Sequence, residues 1–313
     1  MLIDAADLAR AQGALEGVAV RTPLIEADGF EHPVRLKAEH LQPIGAFKIR
    51  GAWTALSRLD ETARRRGVVT SSSGNHGYGI AWAAQQLGVR AVVVMPESTP
   101  TIKQDNIRRA GGEIHLVGAV RGPEQFAHAQ ALADNEGLTF IHPFDHPDVI
   151  AGQATCALEI LEDWPQVATI VVPTGGGGLL AGTCLAVKSA ARPVRIVGVE
   201  PEGIPKLSRA LAADAPVDVG TGTSLADGIL TRSIGDLTWP IIREAGVEAL
   251  QVGDDDIVAA MRWLARRGIR VEPSGAAAAA ALLAGKLILD GPTALILSGG
   301  NVDPVRYTQL VPE

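Results

Sequence analysis

Short apolar runs bounded by glycine or proline alternate along the chain with longer stretches of helical period. Val68–Thr70, Ala91–Met95 (AVVVM), Glu113–Val117, Thr169–Val172, Val194–Val199 and Ala294–Leu297 read as short buried strands. Ala46–Leu59, Ile80–Leu87, Pro123–Asn135, Ile150–Asp163, Leu179–Ala190 and Asp254–Arg267 read as helices. Strand and helix in this rhythm predict an α/β fold, a mostly parallel sheet covered on both faces. The spacing from Val68 to Val117 fits one small unit of about three strands. Gly275–Gly285, rich in alanine, reads as a helix packed closely on a neighbour, and the Pro-, Gly- and Asp-bearing segment Pro201 to Leu225 as a surface excursion with one short helix.

Length and composition narrow the class. The 313 residues are enough for one large or two modest domains, and 47% hydrophobic against 20% charged residues argues against disorder. A net charge of -7 and the lack of any basic run speak against nucleic acid as partner. Two cysteines, Cys156 and Cys184, make neither a disulfide framework nor a CxxC or Cys/His metal cluster. The start MLIDAADLAR has no signal-peptide pattern, and the longest apolar stretch, Ala276 to Ala284, is too short and alanine-rich to span a bilayer. A cytoplasmic globular protein is expected.

Ligands of open α/β sheets bind where strands end, and three such loops carry chemistry. In TIVV-PTGGGG-LLAGTCLAVKSA, Gly175 to Gly178 leave a strand and open a helix, so that backbone N–H groups and the helix N-terminus form a phosphate cradle. A flexible turn is the plainer reading, but four glycines are costly for a turn alone. Gly176-Gly177-Gly178-Leu179-Leu180-Ala181 also matches G-x-G-x-x-A, with Glu200 nineteen residues after Ala181 where a ribose-binding acid would sit; alone, this says NAD. In GVVT-SSSGNHG, the hydroxyls of Ser71, Ser72 and Ser73 with Asn75 and His76 suit a small carboxylate at a helix start, where an ordinary N-cap needs one such residue. In TALIL-SGGN, Ser298 ends a strand in what could be a common turn.

Lys48, between Phe47 and Ile49 in GAFKIRGAW, links these loops. A lysine is by default solvated, but apolar flanks permit a buried amine whose lowered pKa makes it a usable nucleophile. Reactive lysine, phosphate cradle and carboxylate loop together describe a site for pyridoxal phosphate and an amino acid; a nicotinamide site needs no such lysine.

The chain resembles the serine/threonine dehydratase and serine racemase family, pyridoxal-phosphate enzymes of the tryptophan-synthase-β fold (fold type II). The matching blocks are Ala46-Phe47-Lys48-Ile49-Arg50-Gly51-Ala52, Ser72-Ser73-Gly74-Asn75-His76-Gly77, His142-Pro143 to Ile150-Ala151-Gly152-Gln153, Gly175–Gly178, Ala226-Asp227-Gly228, Glu272-Pro273-Ser274-Gly275-Ala276 and Ser298-Gly299-Gly300-Asn301, in family order over nearly the whole length. The resemblance implies two open, mostly parallel twisted sheets flanked by helices. Residues 1–60 and 141–313 would form a large cofactor-binding domain, and residues 61–140 a smaller mobile domain closing over the substrate. It implies pyridoxal 5'-phosphate in a Schiff base with Lys48, which later takes the Cα proton. Phe47 and Asn75 would back the ring and bond its phenolic oxygen, Gly175, Gly176, Gly177, Gly178 and Leu179 would hold the phosphate, and Ser298 would face the pyridine nitrogen. Ser72, Ser73, Asn75 and His76 would take the substrate carboxylate. A neutral Ser298 does not force ring protonation, so the cofactor is a moderate electron sink suited to prompt loss of a β-hydroxyl.

The implied reaction is β-elimination from a 3-hydroxy amino acid, L-threonine or L-serine first, to a 2-oxo acid and ammonia, in a homodimer. Racemisation is the nearest alternative, with Ser73 returning a proton to the second face; an NAD-binding dehydrogenase and a catalytically dead amino-acid-binding protein are the readings from other classes. Two departures stand out. Ile44-Gly45-Ala46 replaces the usual Thr-Gly-Ser, which suggests a more apolar substrate side and admits bulkier substrates such as hydroxyaspartate or phenylserine. Racemase-like members bind a divalent cation through a glutamate and an aspartate six residues on; here Glu200 is in place but Lys206 holds the aspartate position, so no metal is expected, and the Lys206 ammonium either stands in for the cation or is, with Glu200, one of two unrelated surface charges.

Overall fold

The computed structural model describes residues 3–120 and 122–312. Ten strands are present among them: β1 Leu24–Ala27, β2 Val34–Lys37, β3 Val68–Ser71, β4 Ala91–Met95, β5 Glu113–Leu116, β6 Thr139–Phe140, β7 Thr169–Pro173, β8 Arg195–Pro201, β9 Glu248–Val252 and β10 Thr293–Ile296. They form a six-stranded sheet in the order β1-β2-β10-β7-β8-β9 and a four-stranded sheet in the order β5-β4-β3-β6. Only β1 and β2 pair antiparallel, with Leu24 opposite Lys37; the other neighbours are parallel, for example Val69 beside Val92 and Val171 beside Val197. All five residues of β4 and of β7 are buried, the burial expected of parallel strands covered on both faces.

The hydrophobic runs are where the sequence predicts strands, with ends shifted by a residue or two. The small unit gains a fourth strand, β6, too short to show a period, and β1, β2 and β9 lack the continuous apolar run that marks a buried strand. The predicted helix at Ala46 begins instead at Lys48, because Ala46 pairs with Gly299 in an antiparallel bridge and the Phe47 N–H donates to the Ser298 carbonyl at 3.1 Å. The alanine-rich segment is the helix Pro273–Leu283, buried from Pro273 to Leu282. Its methyls let the helix sit against Val171 of β7, Val197 and Val199 of β8 and Leu295 of β10 in one core cluster. The segment after Pro201 is not wholly a surface excursion. Ile204, Lys206, Leu207 and Ala210 are buried, since the Glu200 carboxylate accepts the N–H groups of Leu207 and Ser208 and draws the helix Lys206–Ala213 inward.

Candidate active site

A cavity of about 790 Å³ opens at the C-terminal ends of β3, β4, β7 and β10. Its wall contains Phe47 and Lys48, Ser72, Ser73, Asn75 and His76, Gly175 to Leu179, and Ser298. The residues singled out from the sequence, which run from Phe47 to Ser298, thus share one cavity. Ile44, Gly45 and Ala46 are not on its wall, and Ala46 is fully buried beside Gly299, so loss of hydroxyls there does not alter the surface a substrate meets.

Lys48 opens the helix Lys48–Ser57, and its Nζ donates to the Pro143 carbonyl at 2.7 Å and lies 5.2 Å from the Phe47 ring centroid. What holds this helix is Arg50, two residues on and nearly wholly buried. Its Nε and Nη2 grip both oxygens of buried Glu39 at 2.8 Å each, while Nη1 and Nη2 reach Glu159 at 2.7 and 2.8 Å. The bidentate pairing compensates two charges that would otherwise be costly in the core.

The glycine turn joins β7 to the helix Gly178–Ser189. A Cβ on Gly176 would land in the Phe144 ring, and Gly177 has φ +97°, a conformation side chains resist. The Gly176 carbonyl turns away to accept from Thr238 Oγ1 at 2.9 Å and Gly235 N–H at 3.1 Å. The first amide of this turn with a protein acceptor is that of Ala181, on Gly177; those from Gly175 to Leu180 have none among the described residues. Beside them, the buried Thr231 hydroxyl also has no partner among the described residues. Free amides at a helix N-terminus and an orphaned hydroxyl fit a phosphate. Thr231 escaped the sequence reading because nothing around it is a motif.

Asn75 begins the helix Asn75–Leu87 and is clamped on both sides. Its Nδ2 donates to Glu272 Oε1 at 2.5 Å, and its Oδ1 accepts from Asn301 Nδ2 at 2.8 Å, leaving one amide hydrogen for a ligand. Glu272, on the cavity wall, is the second residue the sequence reading passed over; it was visible only as part of a block. Burial, then the charge of Asp227, lifts its carboxyl to about 7. Asp227 in turn is ion-paired with Lys103 from the helix Thr101–Arg109, a contact between the two sheets' territories at the cavity. His76 is pushed well below the ordinary histidine value, and His142 down to about 4, in each case by burial first and the Lys48 charge second. Both rings are neutral near pH 7, so His76 brings no positive charge to a carboxylate.

Glu200 does not serve a ribose. It is fully buried, and its oxygens accept from Leu207 N–H (2.6 Å), Ser208 N–H (2.8 Å) and Ser208 Oγ (2.7 Å). The G-x-G-x-x-A match therefore lacks its acid. Among the described residues no group of three or more His, Cys, Asp or Glu could hold a metal ion, and no helix is long and apolar enough to cross a membrane.

The pyridoxal-phosphate dependent enzymes match residues 15–299 as a family. An L-threonine ammonia-lyase of Thermotoga maritima is 39% identical over 96% of this chain and 76% of its own length. An L-threo-3-hydroxyaspartate ammonia-lyase of Saccharomyces cerevisiae is 38% identical over 97% of this chain and 95% of its own. The solved structure of maize serine racemase superposes with a TM-score of 0.94 at 34% identity, covering 99% of this chain and 97% of that one.

Proposed function

Because the chain belongs to the pyridoxal-phosphate dependent enzymes, we propose that it is an ammonia-lyase that converts a 3-hydroxy amino acid, L-threonine or L-serine first, to a 2-oxo acid and ammonia. One observation carries the reading: the Lys48 amine stands on the same cavity wall as the acceptor-free amides of Gly175 to Leu179 and the Ser298 hydroxyl. Those amides, with the Thr231 hydroxyl, would hold the cofactor phosphate; Phe47 would lie against the ring, Asn75 would give its remaining amide hydrogen to the phenolic oxygen, and Ser298 would face the pyridine nitrogen. Lys48 would hold pyridoxal phosphate until the substrate amine takes its place, and the cofactor would then draw electrons from the substrate Cα and make its proton acidic. The Lys48 amine, displaced by the substrate amine, would take that proton; the β-hydroxyl would pick up a proton and leave as water, and hydrolysis of the released enamine would give the 2-oxo acid and ammonia. Ser298 would offer the ring nitrogen a neutral hydroxyl, which does not drive it to stay protonated as a carboxylate would. The helix start at Ser72, Ser73, Asn75 and His76 would take the substrate carboxylate through hydroxyls and N–H groups.

Racemisation is a second reading, supported by Ser73 on the same wall as Lys48 and by the likeness to a serine racemase. The proposal includes closure of residues 61–140 over the substrate, a homodimer, and work in the cytoplasm, for which two buried free thiols, Cys156 and Cys184, favour a reducing compartment. Borohydride reduction of the holoenzyme followed by peptide mass analysis should put the cofactor on Lys48. Assays with L-threonine, L-serine, hydroxyaspartate and phenylserine should release ammonia and 2-oxo acid; D-serine as the main product from L-serine would select the racemase. Undiminished turnover by Lys48→Ala would overturn both.

A further inference from the structure

The divalent cation that the resemblance implies for racemase-like members does not fit this chain. Where such an ion would meet Glu200, the side chain of Lys206 is already present, with 0% exposure. Its Nζ donates to the Ile229 carbonyl at 3.0 Å and lies 3.7 Å from Glu200 Oε2. Glu200 is likewise at 0% exposure and otherwise engaged with Leu207 and Ser208. Two oxygens from different parts of the chain, one at the end of β8 and one in the 3₁₀ turn Asp227–Ile229, thus share a single ammonium.

Ile229 is no remote partner. Its Cα would be 3.4 Å from a Cβ built on Gly175, so it backs the first glycine of the phosphate turn. Asp227, Gly228, Ile229, Leu230 and Thr231 all line the cavity, and Thr231 carries the orphaned hydroxyl. Anchoring the Ile229 carbonyl therefore fixes the wall that faces the glycine amides.

We propose that Lys206 is a positioning residue whose ammonium is the resident cation of this wall, locking residues 227–231 to Glu200 and making the enzyme independent of divalent metal ions. Burial pushes the amine down to about 8 while Glu200 pulls it up, so it is still charged near neutral pH. Lysine differs from a metal ion in one consequence: the charge is tethered and cannot be removed by a chelator. The inference rests on the ammonia-lyase reading only for its activity assay.

The test compares holoenzyme, wild type and variants, with three readouts. In wild type, turnover and thermal midpoint should be unchanged by EDTA and by added Mg²⁺, Ca²⁺ or Mn²⁺, and calorimetry should show none of these ions binding; a chelator-induced loss reversed by one of them overturns the proposal. Lys206→Ala should lose about tenfold to a hundredfold in kcat/KM and bind cofactor more weakly. Both should recover saturably with methylammonium and not with tetramethylammonium, which is too large for the vacated space. A folded Lys206→Ala that methylammonium does not restore overturns it. Should that variant not fold, Lys206→Met, which fills the space without charge, must show the loss; wild-type kcat/KM there overturns the proposal. A wild type without ammonia-lyase turnover sinks the functional reading instead, while the ion-binding, thermal and cofactor-affinity readouts still judge Lys206.

Discussion

Glu272 gives the most quantitative consequence of the site's electrostatics. It precedes the helix Pro273–Leu283, donates its own N–H to the Gly299 carbonyl, and holds Asn75 through Oε1. Burial first and the charge of Asp227 second raise the carboxyl from its ordinary 4.5 to about 7, against weaker pulls from Lys103 and Asn75. A displacement of that size in a fully enclosed group corresponds to about 3 kcal/mol. The folded protein then binds this proton more tightly than the unfolded chain. The contribution of Glu272 to stability is complete below pH 4.5 and is lost as the pH rises through 7, where the ionised carboxylate stands uncompensated.

Glu272→Gln keeps an acceptor for the Asn75 amide and removes the titration. Urea denaturation of wild type and variant, both freed of cofactor so that no bound charge intervenes, should be compared at intervals from pH 5 to pH 8.5. The variant's stability relative to wild type should climb by about 2.5 kcal/mol across that range, most steeply between pH 5 and 6.5 and levelling off above pH 7. Titration of His76, His142 and the remaining groups cancels in the difference, since only position 272 changes. Parallel stability curves for the two proteins would refute the reasoning, because a carboxyl that is ionised at pH 5 in the fold gives no such divergence.

Three further substitutions probe other parts of the site. Gly176→Ala drives a methyl into the Phe144 ring and should cost about 1–3 kcal/mol, with weaker cofactor binding in a fluorescence titration; unchanged affinity would mean that the turn does not meet the cofactor. Arg50→Met leaves Glu39 as a buried carboxylate without its cation and should cost about 3–5 kcal/mol in chemical denaturation, part of which Glu39→Gln in the same chain restores; a loss under 1 kcal/mol would argue against the network. Lys103→Ala breaks a partly exposed pair and should move stability by no more than about 1 kcal/mol, yet raise KM by loosening the cavity mouth; an unchanged KM would make the pair incidental.

The sequence disclosed what is contiguous. The four glycines, the serine loop and Lys48 each carry their chemistry within a few residues, and the parallel strands around them are continuous apolar runs. What it did not disclose are pairings across long separations. Asn75 meets Glu272 at a distance of 197 residues along the chain, and Lys103 meets Asp227 at 124. No local period or motif reports such contacts, which arise when the loops at the ends of β3, β7 and β10 converge. Thr231 was silent for the same reason: a lone threonine in a loop acquires meaning only when burial removes its water.

Glu200 shows the limit from the other side. Its spacing after Gly176-x-Gly178 and its position in β8 satisfy the pattern of a ribose-binding acid. Spacing places a residue on a strand but says nothing about which partners its side chain will find. In this chain the residues that follow, Leu207 and Ser208, supply two N–H groups and a hydroxyl on which the carboxylate spends its lone pairs, and Lys206 adds an ion pair at 3.7 Å. An acid satisfied in that way has nothing left for a dinucleotide. The same helix start that disposes of the nicotinamide reading brings the Lys206 ammonium between Glu200 and the Ile229 carbonyl, so the failure of the look-alike motif and the departure at Lys206 have a single physical cause.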